Sequence, residues 1–357
     1  MAVDQSFMIQ KIMKQDVLYA AFCMNTKMPF IICDPETYND QVWVFDSEEV
    51  LKKFIAEYAE KKYVIRGAKF EQKQAPAFFA SLYTLDVNEV VYGQDGSLVK
   101  IPLESLVKRP DFSKLPVIQR PIQNPALQLS GLYFMQEATR QIPNEEKNLQ
   151  DLNEEFSANL ASARYIIGVL PKEGPGSIQE KLQKHEFSVP VLNLKNGKKF
   201  VPCFSDQFEF DKFRRNSKGI LEMAVPLPGL RAYAGKDTDG FMLNPMGMSM
   251  ALTPELLDAL TKAFPERVQQ GVENAQQIVK EAQEQMQKVR AAAAKKKTEG
   301  KKAEEKKAEI PVSHMPGHSK VLTPFAKNAA PVEKTAPAPV YKPVKQNEEP
   351  KEEDRKD

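Results

Sequence analysis

Residues 42–58 change their hydrophobic period midway. Val42, Val44 and Phe45 read as a strand, and Val50, Leu51, Phe54, Ile55 and Tyr58 then fall on one helical face. Asp46-Ser47-Glu48-Glu49 sits at the switch. Asp46 or Ser47 can accept from the free N–H groups of a helix start, and Glu49, three residues after Asp46, completes a capping-box-like pattern. The spacing predicts a strand running directly into an amphipathic helix.

The same device recurs. Asn196-Gly197 separates two short apolar runs, a turn pair that tolerates positive φ and predicts a hairpin. Phe204-Ser205-Asp206 then opens a helix carrying Phe208 and Phe213. FDSEEVLKKF (45–54) and FSDQFEFDKF (204–213) align without gaps. VLYAAFC (17–23) aligns with ARYIIGV (163–169), matching Tyr19 to Tyr165. Residues 90–106 align with 241–257, matching Gly96 to Gly247 and Glu104 to Glu255. Three matches in the same order predict an internal duplication. The fold class expected is α+β: two tandem diverged copies of a small antiparallel sheet packed with helices. The expected boundaries are 1–109 for copy one and 148–262 for copy two. A Pro-rich linker, 110–147, joins them and has room for a short helix around Leu129–Thr139.

Beyond Phe264 the pattern changes again. Val268, Val272, Ala275, Val279, Ala282, Met286 and Val289 are spaced alternately four and three apart, a heptad seam of small residues. A helix is expected over 263–309, running into a Lys/Ala/Glu-rich stretch, with weak self-association through 265–290. Residues 310–357 carry eight prolines after Ile310 and read as a disordered tail.

Charge sharpens this picture. Residues 291–357 hold 15 Lys and Arg against 11 Asp and Glu, and the remainder holds 35 against 37. A near-neutral body is a poor footprint for specific nucleic-acid binding. Three cysteines, Cys23, Cys33 and Cys203, are too few and too odd for a disulfide framework. The first residues lack a signal-peptide pattern, and no apolar run reaches membrane-spanning length. A cytoplasmic location and no membrane span are expected.

Copy two resembles the SseB family, named for enhanced serine sensitivity. The resemblance rests on Val201, Pro202, Phe204 and Ser205 at a strand-to-helix step, then Leu243, Asn244, Pro245 and Gly247 at the end of a later strand, then TPELLDAL (253–260). It spans about residues 150–262 and reaches 8–108 only through the repeat. Copy one departs from it, with Val42-Trp43 for Val-Pro and Tyr92-Gly93-Gln94 for Leu-Asn-Pro. The resemblance implies a small α+β domain of unknown biochemical activity and supplies no catalytic residues.

The residues that could carry chemistry each have a plainer reading. Asn244, Pro245 and Gly247 could present backbone N–H groups to an anion or peptide, or simply form a turn in which Gly247 takes a positive φ. Met246, Met248 and Met250 would share one face of a strand, as a soft-metal site or as core. Cys203 needs an activating base, and His185 is the only histidine of the body. His314 and His318 have helical metal-ligand spacing, but Pro316-Gly317 interrupts it. Lys295–Lys297 and the lysines after them could meet an anionic surface or serve as a solvated spacer. No nucleotide-binding fingerprint is present. The function expected is that of a non-catalytic protein-interaction or adaptor protein with no cofactor and an unidentified protein partner. A small-molecule sensor binding between the copies, or a Cys203-dependent enzyme, are the alternatives.

Overall fold

The computed structural model describes residues 5–94, 96–215, 219–307 and 342–343. Copy one runs α1 (Gln5–Lys14), β1 (Val17–Cys23), β2 (Ile31–Cys33), β3 (Asp40–Phe45), α2 (Glu48–Glu60), β4 (Ile65–Glu71), α3 (Ala75–Leu82), β5 (Glu89–Gln94), β6 (Ser97–Pro102) and α4 (Leu103–Leu106). Segment 110–147 contains α5 (Pro125–Ala138). Copy two runs α6 (Leu149–Ser162), β7 (Arg164–Pro171), α7 (Ile178–Gln183), β8 (Phe187–Ser188), β9 (Leu192–Asn193), β10 (Lys199–Phe204), α8 (Gln207–Arg214), β11 (Leu221–Pro226), β12 (Phe241–Leu243), β13 (Met250–Leu252) and α9 (Pro254–Ala263). α10 (Pro265–Lys307) and a two-residue strand, β14 (Lys342–Pro343), follow.

The two copies are the same α+β lobe. Strand order is β4-β1-β3-β5-β6 in the first and β11-β7-β10-β12-β13 in the second. Every corresponding pair has the same sense: β3 and β5 are parallel, as are β10 and β12, and the other pairings on these paths are antiparallel. The parallel pair needs a crossover, which α2, β4 and α3 supply in lobe one. Val90↔Ile101 and Val91↔Lys100 recur as Phe241↔Leu252 and Met242↔Ala251, in the register that the alignment of 90–106 with 241–257 requires.

The first strand corrects the alignment by one residue. Tyr19 pairs with Phe45, whereas the residue opposite Phe204 is Ile166. Tyr165 is therefore the counterpart of Leu18, not of Tyr19. A slip of one residue exchanges the two faces of a strand, and the packing agrees. Leu18 and Tyr165 each lie in the larger core of their lobe, and Tyr19 and Ile166 face the smaller one. The shared tyrosine is a coincidence of letters.

Each sheet is covered on both faces. In lobe one, α1, α3 and α4 cover the larger core, and α2 covers the other face through Leu51 and Phe54. In lobe two, α6, α9 and Val268 of α10 cover the larger core, and Phe210 of α8 covers the other face. α2 starts where its cap predicts: the Ser47 side chain accepts from the Val50 N–H. Asp206 does the same for α8.

α5 lies between the lobes. Leu127 enters the core of lobe two and Leu132 the core of lobe one. The Gln136 side chain donates to the Ile31 carbonyl and accepts from the Ile31 N–H, both at 2.9 Å. Tyr133 donates to Asp40 at 2.6 Å.

α10 packs on lobe two along a line of Val268, Gly271, Ala275, Ile278, Ala282 and Gln285. Gly271 is required there, because a Cβ would stand 2.8 Å from the Ser162 carbonyl oxygen. The expected heptad seam divides on this line. Val268 and Ala282 face the body, whereas Val279 and Met286 are 56% and 41% exposed. Val289 lies where side chains are not described, as do the lysines from Lys295 onward. β14 pairs antiparallel with β4; the rest of the expected disordered tail, with His314 and His318, lies outside the described residues.

Because α5 bonds Ile31 through both amide atoms, Gln136→Ala leaves a buried N–H and a buried C=O without partners. Equilibrium urea unfolding should show a loss of about 1–3 kcal/mol. An unchanged midpoint and slope would mean that α5 contributes nothing to the junction.

Candidate functional site

The sequence-predicted site residues converge on the first turn of α8. β10 delivers Ser205 and Asp206 there, and β12, running parallel beside it, delivers Asn244. Asn244 N–H donates to the Cys203 carbonyl, and the Ser205 N–H donates to Asn244 Oδ1, both at 2.9 Å. Asn244 Nδ2 donates to Ser205 Oγ at 2.8 Å. Gln128 of α5 donates to the same hydroxyl at 2.8 Å and to Asp206 Oδ2 at 2.6 Å. Ser205 in turn donates to Asp206 Oδ2 at 2.8 Å, and Asp206 Oδ1 accepts the Glu209 N–H at 2.9 Å. The Ser205 hydroxyl thus accepts twice and donates once, its full capacity. Asn124 closes the cluster by donating to the Ser205 carbonyl.

The backbone strain of the turn falls on Asn244, at φ 47°, and on Ser249, at φ 50°. Gly247 is not in the left-handed region, contrary to the sequence expectation. It has a different reason to be glycine: a Cβ would stand 2.7 Å from Glu209 Oε2. The Gly247 N–H donates to the Asn244 carbonyl at 2.8 Å, so Asn244, Pro245 and Gly247 form a roof over the Glu209 carboxylate.

Glu209 was invisible to motif reading. It replaces Val50, its counterpart in lobe one, and is 1% exposed. Oε1 pairs with Lys212, whose Nζ also lies 3.6 Å from Met28 Sδ in lobe one. Oε2 has no hydrogen-bond partner among the described residues. Burial pushes the Glu209 carboxyl above its ordinary range; Lys212 pulls it down, and Asp206 adds to the rise. An acidic residue at a helical position whose repeat partner is apolar is the signal that would have found it.

The other candidates separate. Cys203 is fully buried at the centre of its sheet, between Ile167 and Leu243, and burial pushes its thiol well above the usual range. His185 is exposed in the turn after α7, so the fold does not set it beside Cys203. The three methionines do not share a strand face. Met248 is in the core against Gly131, Met250 packs at its edge, and Met246 is 46% exposed. No group of three His, Cys, Asp or Glu with metal-holding geometry occurs among the described residues.

No family model matches this chain, and no curated protein matches it. Among solved structures, Anabaena Tic22, a protein described with protein transport, aligns at 10% identity over 73% of this chain and 98% of its own, with a TM-score of 0.16. At that score the likeness carries no argument about fold or role.

Two measurements test the site. Gly247→Ala should cost about 1–3 kcal/mol by overpacking, and most of that cost should vanish in a Glu209→Ala background; additive losses in a double-mutant cycle would place the crowding elsewhere. The second concerns pH. Glu209 has a raised pKa when folded, so between the ordinary carboxylate range and that raised value the folded state binds more protons than the unfolded chain. Its contribution therefore falls as pH rises through that window. Glu209→Gln should flatten this slope in urea titrations from mildly acidic to neutral pH, and an unchanged slope would mean that the carboxylate titrates as if in water.

Proposed function

We propose that this protein acts by binding other proteins, as a non-catalytic adaptor of the SseB kind, with α10 as the element that joins one copy to another. The observation that carries the reading is the outer flank of α10. Val279 and Met286 are exposed and seven residues apart, and half-buried Val272 continues their row, which flanks the line that packs on lobe two. The positions on its outer side, Glu273, Gln276, Lys280, Gln283 and Gln287, are polar. A narrow apolar stripe on a polar helix suits pairing with another such helix, and a second copy of α10 is its simplest match.

The polar site under the Asn244 turn supports the same reading. Its donors and acceptors hold β10, β12, α5 and α8 together, and only Met246 of the turn offers a large apolar surface to a partner. Among the described residues no helix is long and apolar enough to cross a membrane. Cys33 is an exposed free thiol, which suits a reducing compartment, and we place the protein in the cytoplasm.

The test must leave Val268 and Gly271 in place, since removing α10 would uncover the core of lobe two. Sedimentation of the full chain should show mass rising with concentration over about 10–100 μM, as expected for a micromolar interaction. The Val279→Glu/Met286→Glu double variant should stay monomeric at the same thermal midpoint. A wild-type chain that is monomeric throughout this range would overturn the joining role of α10.

A further inference from the structure

α10 lies close to the body along its packed line, where Ala282 is buried, and is fixed near both ends of that line. At one end Gly271 touches the Ser162 backbone. At the other, Gln285 accepts the Val117 N–H at 3.0 Å. Beside the packed line a cleft of about 440 Å3 lies between Gln277, Ile278 and Glu281 of α10 and a floor made by Arg164, Val117 and residues 120–124. The cleft is open to solvent on one side, and its volume falls in the range of small-molecule sites.

Its floor carries an uncompensated charge. Arg164 opens β7, and its backbone is clamped by Asn124, which donates to the Arg164 carbonyl at 2.7 Å and accepts its N–H at 3.4 Å. The guanidinium is half-buried and has neither a carboxylate within ion-pair distance nor a side-chain hydrogen bond among the described residues. Arg120, exposed at the rim, bonds the carbonyls of Ser113 and Leu115 and pairs with no carboxylate among the described residues. Glu281 lines the same cleft and accepts from the neutral Gln277 amide, so two guanidiniums face one carboxylate across it. A partly desolvated guanidinium gains from an anion beside it, and its planar fork fits a carboxylate or phosphate through two parallel bonds. Ile122 and Ile278 add apolar wall, which an inorganic ion would leave unused.

We propose that the space between α10 and lobe two is a binding site for a small organic anion, with Arg164 taking its oxyanion group and α10 closing over its apolar part. The ligand then bridges the body and the one helix that carries the exposed Val279 stripe. Filling the site would hold that helix down and restrict how it presents the stripe. This proposal rests on the cavity and its charge, and stands whether or not α10 joins copies.

Titration calorimetry on the full chain should use succinate, glycerol phosphate and inorganic phosphate, with sodium chloride at matched ionic strength as the control. One of the two organic anions should bind at one site per chain, tighter than inorganic phosphate, and should slow amide exchange across 274–281. Arg164→Gln should weaken that binding by about tenfold or more. Gln277→Glu, on the exposed side of the cavity, should weaken it similarly by repulsion, and decides the matter if Arg164→Gln fails to fold. Absence of binding by either organic anion up to about 10 mM, the weak end of specific recognition, would overturn the proposal. So would equal binding by inorganic phosphate, or affinities unchanged in both variants.

Discussion

Two side-chain amides on one helix set the relation between the two halves of this molecule. Gln136 satisfies both backbone groups of Ile31 in lobe one, and Gln128, two turns earlier on α5, satisfies Ser205 and Asp206 in lobe two. All of these groups are buried, and a buried amide or carboxylate left without its partner costs more than the bond itself contributes in water. α5 therefore has little freedom to shift against either sheet. The Asn244 turn, the cap of α8 and the approach of Met28 to Lys212 all depend on where it sits.

On this shared frame the lobes have diverged at equivalent positions. The Asp46 N–H bonds the Gly93 carbonyl in lobe one. In lobe two the Ser205 N–H bonds the side chain of Asn244, the counterpart of Gly93, which adds a second link to the same hydroxyl. Gly93 has a steric reason to stay small, since a Cβ would press on the Phe45 ring at 2.8 Å. Val50 packs at the edge of an aromatic cluster with Phe54 and Tyr58, and its counterpart Glu209 carries a buried carboxyl group against Lys212. One lobe has kept an apolar helix start and the other has built a polar one.

What could be read from the sequence follows from what is local. Helix starts were legible because Ser47 and Asp206 act within three residues of themselves. The duplication was legible from Phe45 and Phe204 and from the 90–106 match, both of which survive in the strand register. The parallel pairing of β3 with β5 was not, because hairpin signals speak only for neighbours in the chain. Tyr19 and Tyr165 misled because identity at one position cannot say which face of a strand it occupies. The α10 spacing marked a helix correctly, but spacing alone could not say that Val268 and Ala282 meet this chain's own body while Val279 and Met286 face outward. The polar cluster was half legible: Asn244, Pro245 and Gly247 stood out as a turn, whereas Gln128 and Glu209 joined them only through folding. The Arg164 cavity draws on segments more than 100 residues apart, and no motif could have announced it.

α5 also decides where this chain can be divided. A cut at the boundary suggested by composition, before residue 148, leaves α5 attached to lobe one and takes Leu127 and Gln128 away from the second core. A cut near residue 110 leaves α5 on lobe two and uncovers Ile31 and the socket of Leu132. Neither fragment is a finished surface, so each half carries an open face shaped for the same helix. Fragments that both include residues 121–140 would compete for one seat when mixed, whereas fragments that share it out once can complement each other. The molecule is a repeat by descent but a single piece by construction.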